Sequence, residues 1–341
     1  MKVGVIGLGG MGRHHAKVIR KFDFVAELLG CDQLPKAREA GAKDGIRSVA
    51  DIPSLLAWRP DAVIVVTQAS AHAGAIEPCL KAGIPVLTEK PLTTDLRASR
   101  RLVALAEKRR LNFQVGFELR YCGATLAMKA VVASGLIGKP LHASLVQISG
   151  SHGKGAFTME RTGGIFYEKL CHQIDFYRFW LGEPERVMAI AAPKAMKHYG
   201  VPDTVLSCLV FPGGRTGNIT FMTTRAAQIG GTSDHGDRGH FYELTLTCTR
   251  GSVTFDAWDE VISVVRFNHR PDCKSELVER FKVRERYGEP VYDLERQDGD
   301  FLKRVAAGKP PTFPASDALK TMEWVALAEA SLASGGKWIA G

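Results

Sequence analysis

Apolar runs and helical periodicities alternate along the first 118 residues. An apolar run at 2–7 gives way to a Gly-rich turn and then to a helical pattern reaching about residue 19. Further apolar runs at 24–31, 62–66, 84–87 and 112–115 read as strands, and helical patterns at 70–81 and 95–108 fall between them. Strands separated by helices predict a parallel sheet, because parallel neighbours need a crossover connection. The pattern changes after residue 118. A helix at 124–134 leads into a strand at 141–148, a Gly-rich stretch at 150–155 and a helix at 167–181. Strand-like runs follow at 186–191, 204–211, 216–224, 242–248, 252–255 and 261–267. Turns such as Pro212-Gly213-Gly214 separate them, which predicts antiparallel neighbours. A helix at 315–334 closes the chain. The expected fold class is α/β: a parallel-sheet unit at 1–118, then an α+β unit at 119–341 with a largely antiparallel open sheet. Open sheet faces are often covered by a second copy, so a homo-oligomer, dimer or tetramer, is expected.

Composition narrows the function classes. The 341 residues are 45% hydrophobic and 24% charged, enough for two domains with real cores. The net charge is +9, but Lys and Arg are spread along the chain and cluster only briefly, as at Lys108-Arg109-Arg110. No zinc-finger or RNP-type motif accompanies them, so a nucleic-acid partner is not expected. The basic surface would instead favour an anionic cofactor. The seven Cys are odd in number and form no CxxC pair, which argues against a disulfide framework and a structural metal. Met1 is followed at once by the first strand run and not by a secretory h-region, and no apolar run is long enough for a bilayer. A cytoplasmic protein with no membrane partner is expected.

Gly7-Leu8-Gly9-Gly10-Met11-Gly12 reads G-x-G-x-x-G. Such a run is weak alone, but this one follows a strand, opens a helix, and has Asp32 at the end of the next strand, 20 positions after Gly12. Gly7 allows the tight turn, Gly9 admits a pyrophosphate to the backbone, and Gly12 lets the helix pack close. The helix N-terminus presents N–H groups to phosphates. Asp32 is expected to accept hydrogen bonds from the adenosine ribose and to repel a 2′-phosphate, favouring NAD over NADP. Lys36 and Arg38 lie just beyond and soften that preference.

Two further segments carry candidate chemistry. Thr88-Glu89-Lys90-Pro91 follows the 84–87 strand, and ligands of open α/β sheets sit beyond the carboxyl ends of strands. Pro91 restricts the backbone of Lys90, which otherwise reads as an ordinary surface lysine. On the 167–181 helix, Glu168, His172, Asp175 and Phe179 share one stripe, with Leu170, Ile174, Tyr177 and Leu181 opposite. A Glu/His/Asp row either faces water or, if buried, requires partners and marks a site. Phe179 and Trp180 point to burial on most sides. Arg120 and Tyr121, just past the 112–115 strand, are candidates to line the same crevice as Lys90.

These motifs together resemble the glucose–fructose oxidoreductase / inositol dehydrogenase / rhizopine-catabolism (Gfo/Idh/MocA) family over essentially the full length. The resemblance rests on Gly7-x-Gly9-x-x-Gly12, Glu89-Lys90-Pro91, Gly164-x-x-x-Glu168-x-x-x-His172-x-x-Asp175 and the closing helix. Thr67 and His72 stand where the family has a Thr-Pro-x-x-x-His stretch beside the nicotinamide. The resemblance implies a Rossmann domain, a nicotinamide cofactor (NAD, with NADP possible), and sugars, inositols or related polyols as substrates. It implies that Lys90 contacts cofactor and reacting oxygen and that His172 is the acid/base; Glu168 is expected as the third catalytic residue, orienting the substrate or His172. The expected cofactor contacts are Gly7, Gly9, Gly10, Met11, Gly12, Asp32, Thr67, His72, Glu89 and Lys90. Those expected for substrate are Lys90, Arg120, Tyr121, Glu168 and His172, with Asp175 behind them. Departures are Glu168 where Asp is common, Leu170 in place of a small residue, and Gln68 in place of Pro. Two rival activities stay open: glycosidic cleavage through transient oxidation on held NAD, and a non-catalytic dinucleotide sensor. The 150–164 loop (Ser151, His152, Lys154, Arg161) and the 235–240 stretch are expected to shape the pocket.

Overall fold

The computed structural model describes residues 1–149, 159–197, 199–223, 240–268 and 274–341. In chain order the first elements are β1 (Lys2–Ile6), α1 (Gly10–Ile19), β2 (Glu27–Cys31), α2 (Pro35–Lys43), β3 (Ser48–Val49) and α3 (Ile52–Ala57). Next come β4 (Ala62–Val65), α4 (His72–Lys81), β5 (Val86–Glu89), α5 (Leu96–Arg109) and β6 (Phe113–Gly116). Then follow α6 (Gly123–Ala133), β7 (Pro140–Ser149), α7 (Met159–Thr162), α8 (Cys171–Leu181), β8 (Arg186–Ala191), β9 (Thr204–Phe211) and β10 (Arg215–Thr223). The remainder are β11 (His240–Cys248), β12 (Gly251–Asp256), β13 (Val261–Arg266), β14 (Glu276–Lys282), α9 (Val283–Tyr287), α10 (Leu294–Ala306), α11 (Ala315–Ala333) and β15 (Ile339–Ala340).

The chain divides into two compact units. The first comprises Met1–Glu118, Glu160–Gly163 and Leu294–Glu323. Its sheet runs β3-β2-β1-β4-β5-β6, and every pairing is parallel. This is the doubly wound order whose direction switches beside β1, so the crevice lies beyond the carboxyl ends of β1 and β4. The central strands read as continuous apolar runs because both faces are covered; all four residues of β4 are buried. Local chemistry sets the helix starts: Asp51 caps α3 by accepting from Ser54 N–H at 2.8 Å, and Asp95 caps α5 by accepting from Arg97 N–H at 3.0 Å.

The second unit comprises Leu119–Met159, Gly164–Asp293 and Trp324–Gly341. Its sheet runs β14-β13-β12-β11-β7-β10-β9-β8-β15. All pairings are antiparallel except β10 with β7, which is parallel across the eight pairs from Thr216↔His142 to Thr223↔Ser149. The exception follows from connectivity, since α8, β8 and β9 intervene between those strands. Helix α8 packs on β7 and β10. Ile174, Tyr177 and Leu181 are fully buried, as are Ile219 and Phe221 of the sheet.

Two expectations change here. From sequence, all of 119–341 is expected in the second unit, yet Leu294–Glu323 packs with the first. Phe301 and Leu302 of α10 enter the core formed by Val3, Val5, Leu8, Ile19 and Ile64. Hydrophobic periodicity identifies a buried face but not the core that receives it. The helix expected at 167–181 also changes, because Phe166–Leu170 form a π-helical turn before α8 begins. A π turn holds more residues than an α turn, so the regular α-helical phase expected through Glu168 does not hold there. Every residue from Cys171 to Arg178 is buried, so the polar and apolar stripes of α8 are both enclosed.

Candidate active site

The Gly-rich turn joins β1 to α1. Gly7 sits at φ +98°, and a Cβ there would stand 2.5 Å from Val66 O; a Cβ on Gly12 would stand 1.8 Å from Gly7 O. Neither position admits a side chain. A Cβ on Gly9 or Gly10 would meet nothing within 4 Å, so space is open above the turn, and Met11 is exposed. Helix α1 has no side-chain cap and no acidic residue in its first turn. Its first N–H groups therefore suit an anion. Thr67 Oγ1, just past β4, is buried with no hydrogen-bond partner among the described residues. Open space, an uncapped helix start and an orphaned hydroxyl together fit a dinucleotide.

Asp32 ends β2. Its Oδ2 accepts from Leu8 N–H at 2.8 Å and its Oδ1 from Leu34 N–H at 2.8 Å. The carboxylate thus holds the Gly-rich turn while keeping further acceptor capacity for ribose hydroxyls. Arg38 donates to the carbonyls of Asp32 and Gln33 at 2.8 and 3.1 Å, so its guanidinium is held beside Asp32 by backbone oxygens.

The Glu89-Lys90-Pro91 segment follows β5 and is braced on both sides. Upstream, Glu89 Oε1 lies 3.0 Å from His15 Nε2, and His15 Nδ1 lies 2.7 Å from Asp298 Oδ2. Glu89 Oε2 accepts from Lys90 N–H at 3.2 Å. Downstream, His72 Nδ1 stands 2.7 Å from Pro91 O and Nε2 stands 3.0 Å from Thr67 O. His72 is buried, and burial holds its ring below the ordinary pKa, against the two carbonyls that favour the cation. The sequence pattern places His72 at the cofactor; its ring nitrogens are instead turned to backbone carbonyls, bracing the Lys90 segment. Glu118, just past β6, is buried, and desolvation together with the charge of Glu89 pushes its carboxyl up to about 8.

In the second unit, Arg120 pairs with Asp175 through Nε–Oδ2 at 2.7 Å and Nη2–Oδ1 at 2.6 Å, with side chains 6% and 1% exposed. The bidentate geometry satisfies a pair that would be costly to bury unmatched. Asp175 is thus tied to the turn after β6, and Arg120, expected to reach substrate, is anchored to α8. Tyr121 and His172 are buried and Glu168 is half-buried. Next to His172, Gln173 donates to Gln147 Oε1 of β7. Glu329 of α11 accepts from Phe166 N–H at 2.7 Å, holding the start of the π turn that carries Glu168. A Cβ on Gly164 would stand 2.2 Å from Glu329 Oε1, and φ there is +126°, so this position requires glycine. Arg161 is exposed, while Ser151, His152, Lys154 and the 235–239 segment lie outside the described residues.

Sequence reasoning misses His15, Asp298, Glu118 and Glu329. A signal exists for His15: it falls with Gly12, Ala16 and Ile19 on the buried face of α1. A histidine in such a stripe calls for polar partners. Nothing local marks those partners, which come from 74 and 283 positions away.

Residues 1–117 match the family model described as the oxidoreductase family with an NAD-binding Rossmann fold, and residues 125–254 match the GFO/IDH/MocA C-terminal domain. The chain is 26% identical over 324 residues to myo-inositol 2-dehydrogenase of Thermotoga maritima, covering 93% of this chain and 92% of that protein. It is 30% identical over 247 residues to inositol 2-dehydrogenase of Rhodococcus erythropolis, covering 70% of each. Its fold is that of an oxidoreductase from Agrobacterium radiobacter solved with NAD+, L-tartaric acid and magnesium, with TM-score 0.79, 20% identity, and coverage of 100% of this chain and 98% of that one. Both halves of the chain match one family and a relative matches at 30% identity across most of its length, so this protein belongs to the Gfo/Idh/MocA family of NAD-binding oxidoreductases.

Proposed function

We propose that this enzyme oxidises a secondary alcohol of an inositol, or of a related polyol or sugar, to the ketone (or, at an anomeric carbon, the lactone). Bound NAD accepts hydride from the alcohol carbon. The observation that carries the reading is the braced Glu89-Lys90-Pro91 segment at the carboxyl end of β5, in the same unit as the open Gly-rich turn. Lys90 supplies positive charge and a donor where alkoxide character develops on the reacting oxygen. His172 takes the hydroxyl proton, a task suited to a group whose ordinary pKa is about 6.5. Glu168 and Tyr121 orient the substrate, and Asp175 fixes Arg120 behind them. The inositol specificity of the relatives supports the polyol class. Asp32 supports NAD as the preferred form.

No helix among the described residues is long and apolar enough to cross a membrane. The six described cysteines are free thiols. Val146, Thr220, Leu206 and Ile190 stand opposite one another across β7, β10, β9 and β8. Val146, Leu206 and Ile190 are exposed. We assign this apolar row to a homo-oligomeric contact; light scattering of the wild type against Leu206→Glu tests it, and a wild-type monomer would dismiss it.

The test of function is to mix purified protein with NAD+ or NADP+ and a panel of inositols, aldoses and sugar acids, following reduced nicotinamide by absorbance. Reduction with an inositol or related polyol is the expected result, with Lys90→Ala lowering turnover by roughly a hundredfold or more. Near-normal turnover by that variant removes Lys90 from the mechanism. Silence on the whole panel, with NAD+ binding shown by calorimetry, turns the reading toward a sensor or a retained-cofactor glycosidase.

A further inference from the structure

His15 is fully buried on α1, three residues past Gly12, and each ring nitrogen faces a carboxylate: Asp298 Oδ2 at 2.7 Å and Glu89 Oε1 at 3.0 Å. An ionised carboxylate only accepts, so a ring bonded to both acids in their ionised form donates from both nitrogens and is an imidazolium. Three ionisable groups are costly to bury unless each satisfies another. A histidine present for packing alone would not need two acids. The arrangement joins three elements: the helix that opens at the Gly-rich turn, the end of β5 that carries Lys90, and α10. The second oxygen of Glu89 accepts from Lys90 N–H at 3.2 Å, so the chain of bonds ends on the backbone of the lysine.

We propose that His15 is a positioning residue, a doubly donating imidazolium that ties Glu89 to Asp298 and thereby fixes Lys90 relative to the Gly-rich turn. The inference rests on the catalytic reading of Lys90 given above. The charged groups around the ring are Asp298 from α10, Glu89 from the end of β5 and His14 on its own helix, with Lys90 and Glu118 beside Glu89. Burial alone would push the ring down; the charges and hydrogen bonds of Asp298 and Glu89 outweigh it and raise it to about 10. His15 therefore stays charged through neutrality, leaving Glu89 shared between two cations.

Two measurements on the full-length protein test this. In the first, nitrogen NMR of histidine-labelled protein should show one ring with both nitrogens protonated and no titration between pH 6 and 8.5, absent in His15→Gln. A ring that titrates near its ordinary pKa, or that carries one proton, overturns the proposal. In the second, trace acetylation of Lys90 by acetic anhydride is followed by mass spectrometry across pH. Removing the His15 cation leaves Glu89 to Lys90 alone, so the acetylation midpoint should move up by about one pH unit in His15→Gln. A folded variant with an unchanged midpoint overturns it. If His15→Gln does not fold, Asp298→Asn, which leaves the ring one acidic partner, takes its place in both measurements. Neither readout needs turnover. A wild-type enzyme silent on every polyol would defeat the proposed reaction and leave the role of His15 to be decided by these two results.

Discussion

At the scale of single residues, the same side chain often shapes the site and reads the ligand. Asp32 is expected from its spacing to meet the ribose, and its two oxygens also hold Leu8 and Leu34 N–H groups. Replacing it with Asn removes the charge that disfavours a 2′-phosphate and leaves one acceptor oxygen for two backbone donors. Asp32→Asn should weaken NAD+ binding about tenfold and narrow the gap to NADP+, as calorimetry with each cofactor would show. Unchanged preference would mean that selection lies elsewhere on the turn. Gly7, Gly9, Gly12 and Asp32 are legible because their roles depend on the local chain: a positive φ, a missing Cβ, the end of a strand. His15 is not, because its meaning depends on acids supplied from β5 and α10.

At the scale of elements, the α8 region shows how a regular pattern misleads. The sequence reads as one uniform helix over 167–181, yet Phe166–Leu170 form a π turn and the α-helix starts only at Cys171. That turn is held at its start by Glu329, whose carboxyl is pushed up to about 7 by burial, against the Phe166 N–H that favours the anion. The folded state thus binds this proton more tightly than the unfolded chain does. Its contribution to stability is full below about pH 4.5 and is lost as pH rises through 7. Glu329→Gln, which cannot ionise, should gain stability relative to the wild type between pH 5 and pH 8 in denaturant titrations. A constant difference across that range would contradict the assignment. Asp175→Asn at the other end of the region leaves Arg120 buried without its carboxylate. It should cost about 3–5 kcal/mol by the same titrations.

At the scale of the whole molecule, the chain returns to its beginning. Helix α10 places Phe301 and Leu302 among residues of β1, α1 and β4. Phe301→Ala should cost about 3–5 kcal/mol and weaken NAD+ binding, although the residue lies about 290 positions from the Gly-rich turn. Equilibrium unfolding and calorimetry would check both effects; intact cofactor affinity in that variant would show the turn to be independent of α10. Read from sequence, the stretch of α10 falls in the wrong unit and the helix itself goes unmarked, because its face is apolar at few positions and charged at many. Strand β14 escapes for a related reason: six of its seven residues are exposed, so it carries no inside–outside alternation.

The sequence by itself determined the strand–helix alternation of the first unit apart from the short edge strand β3, the glycine turn, the acid after β2 and the Glu89-Lys90-Pro91 segment. Each follows from backbone sterics, local hydrogen bonding or hydrophobic period, which act over a few neighbouring residues. Only the tertiary structure decided which core receives α10, that β10 runs parallel to β7, that Arg120 belongs to Asp175, and that His15 stands between Glu89 and Asp298. Those outcomes depend on pairings between residues far apart in the chain, where burial makes an unpartnered charge too costly and so selects the partner.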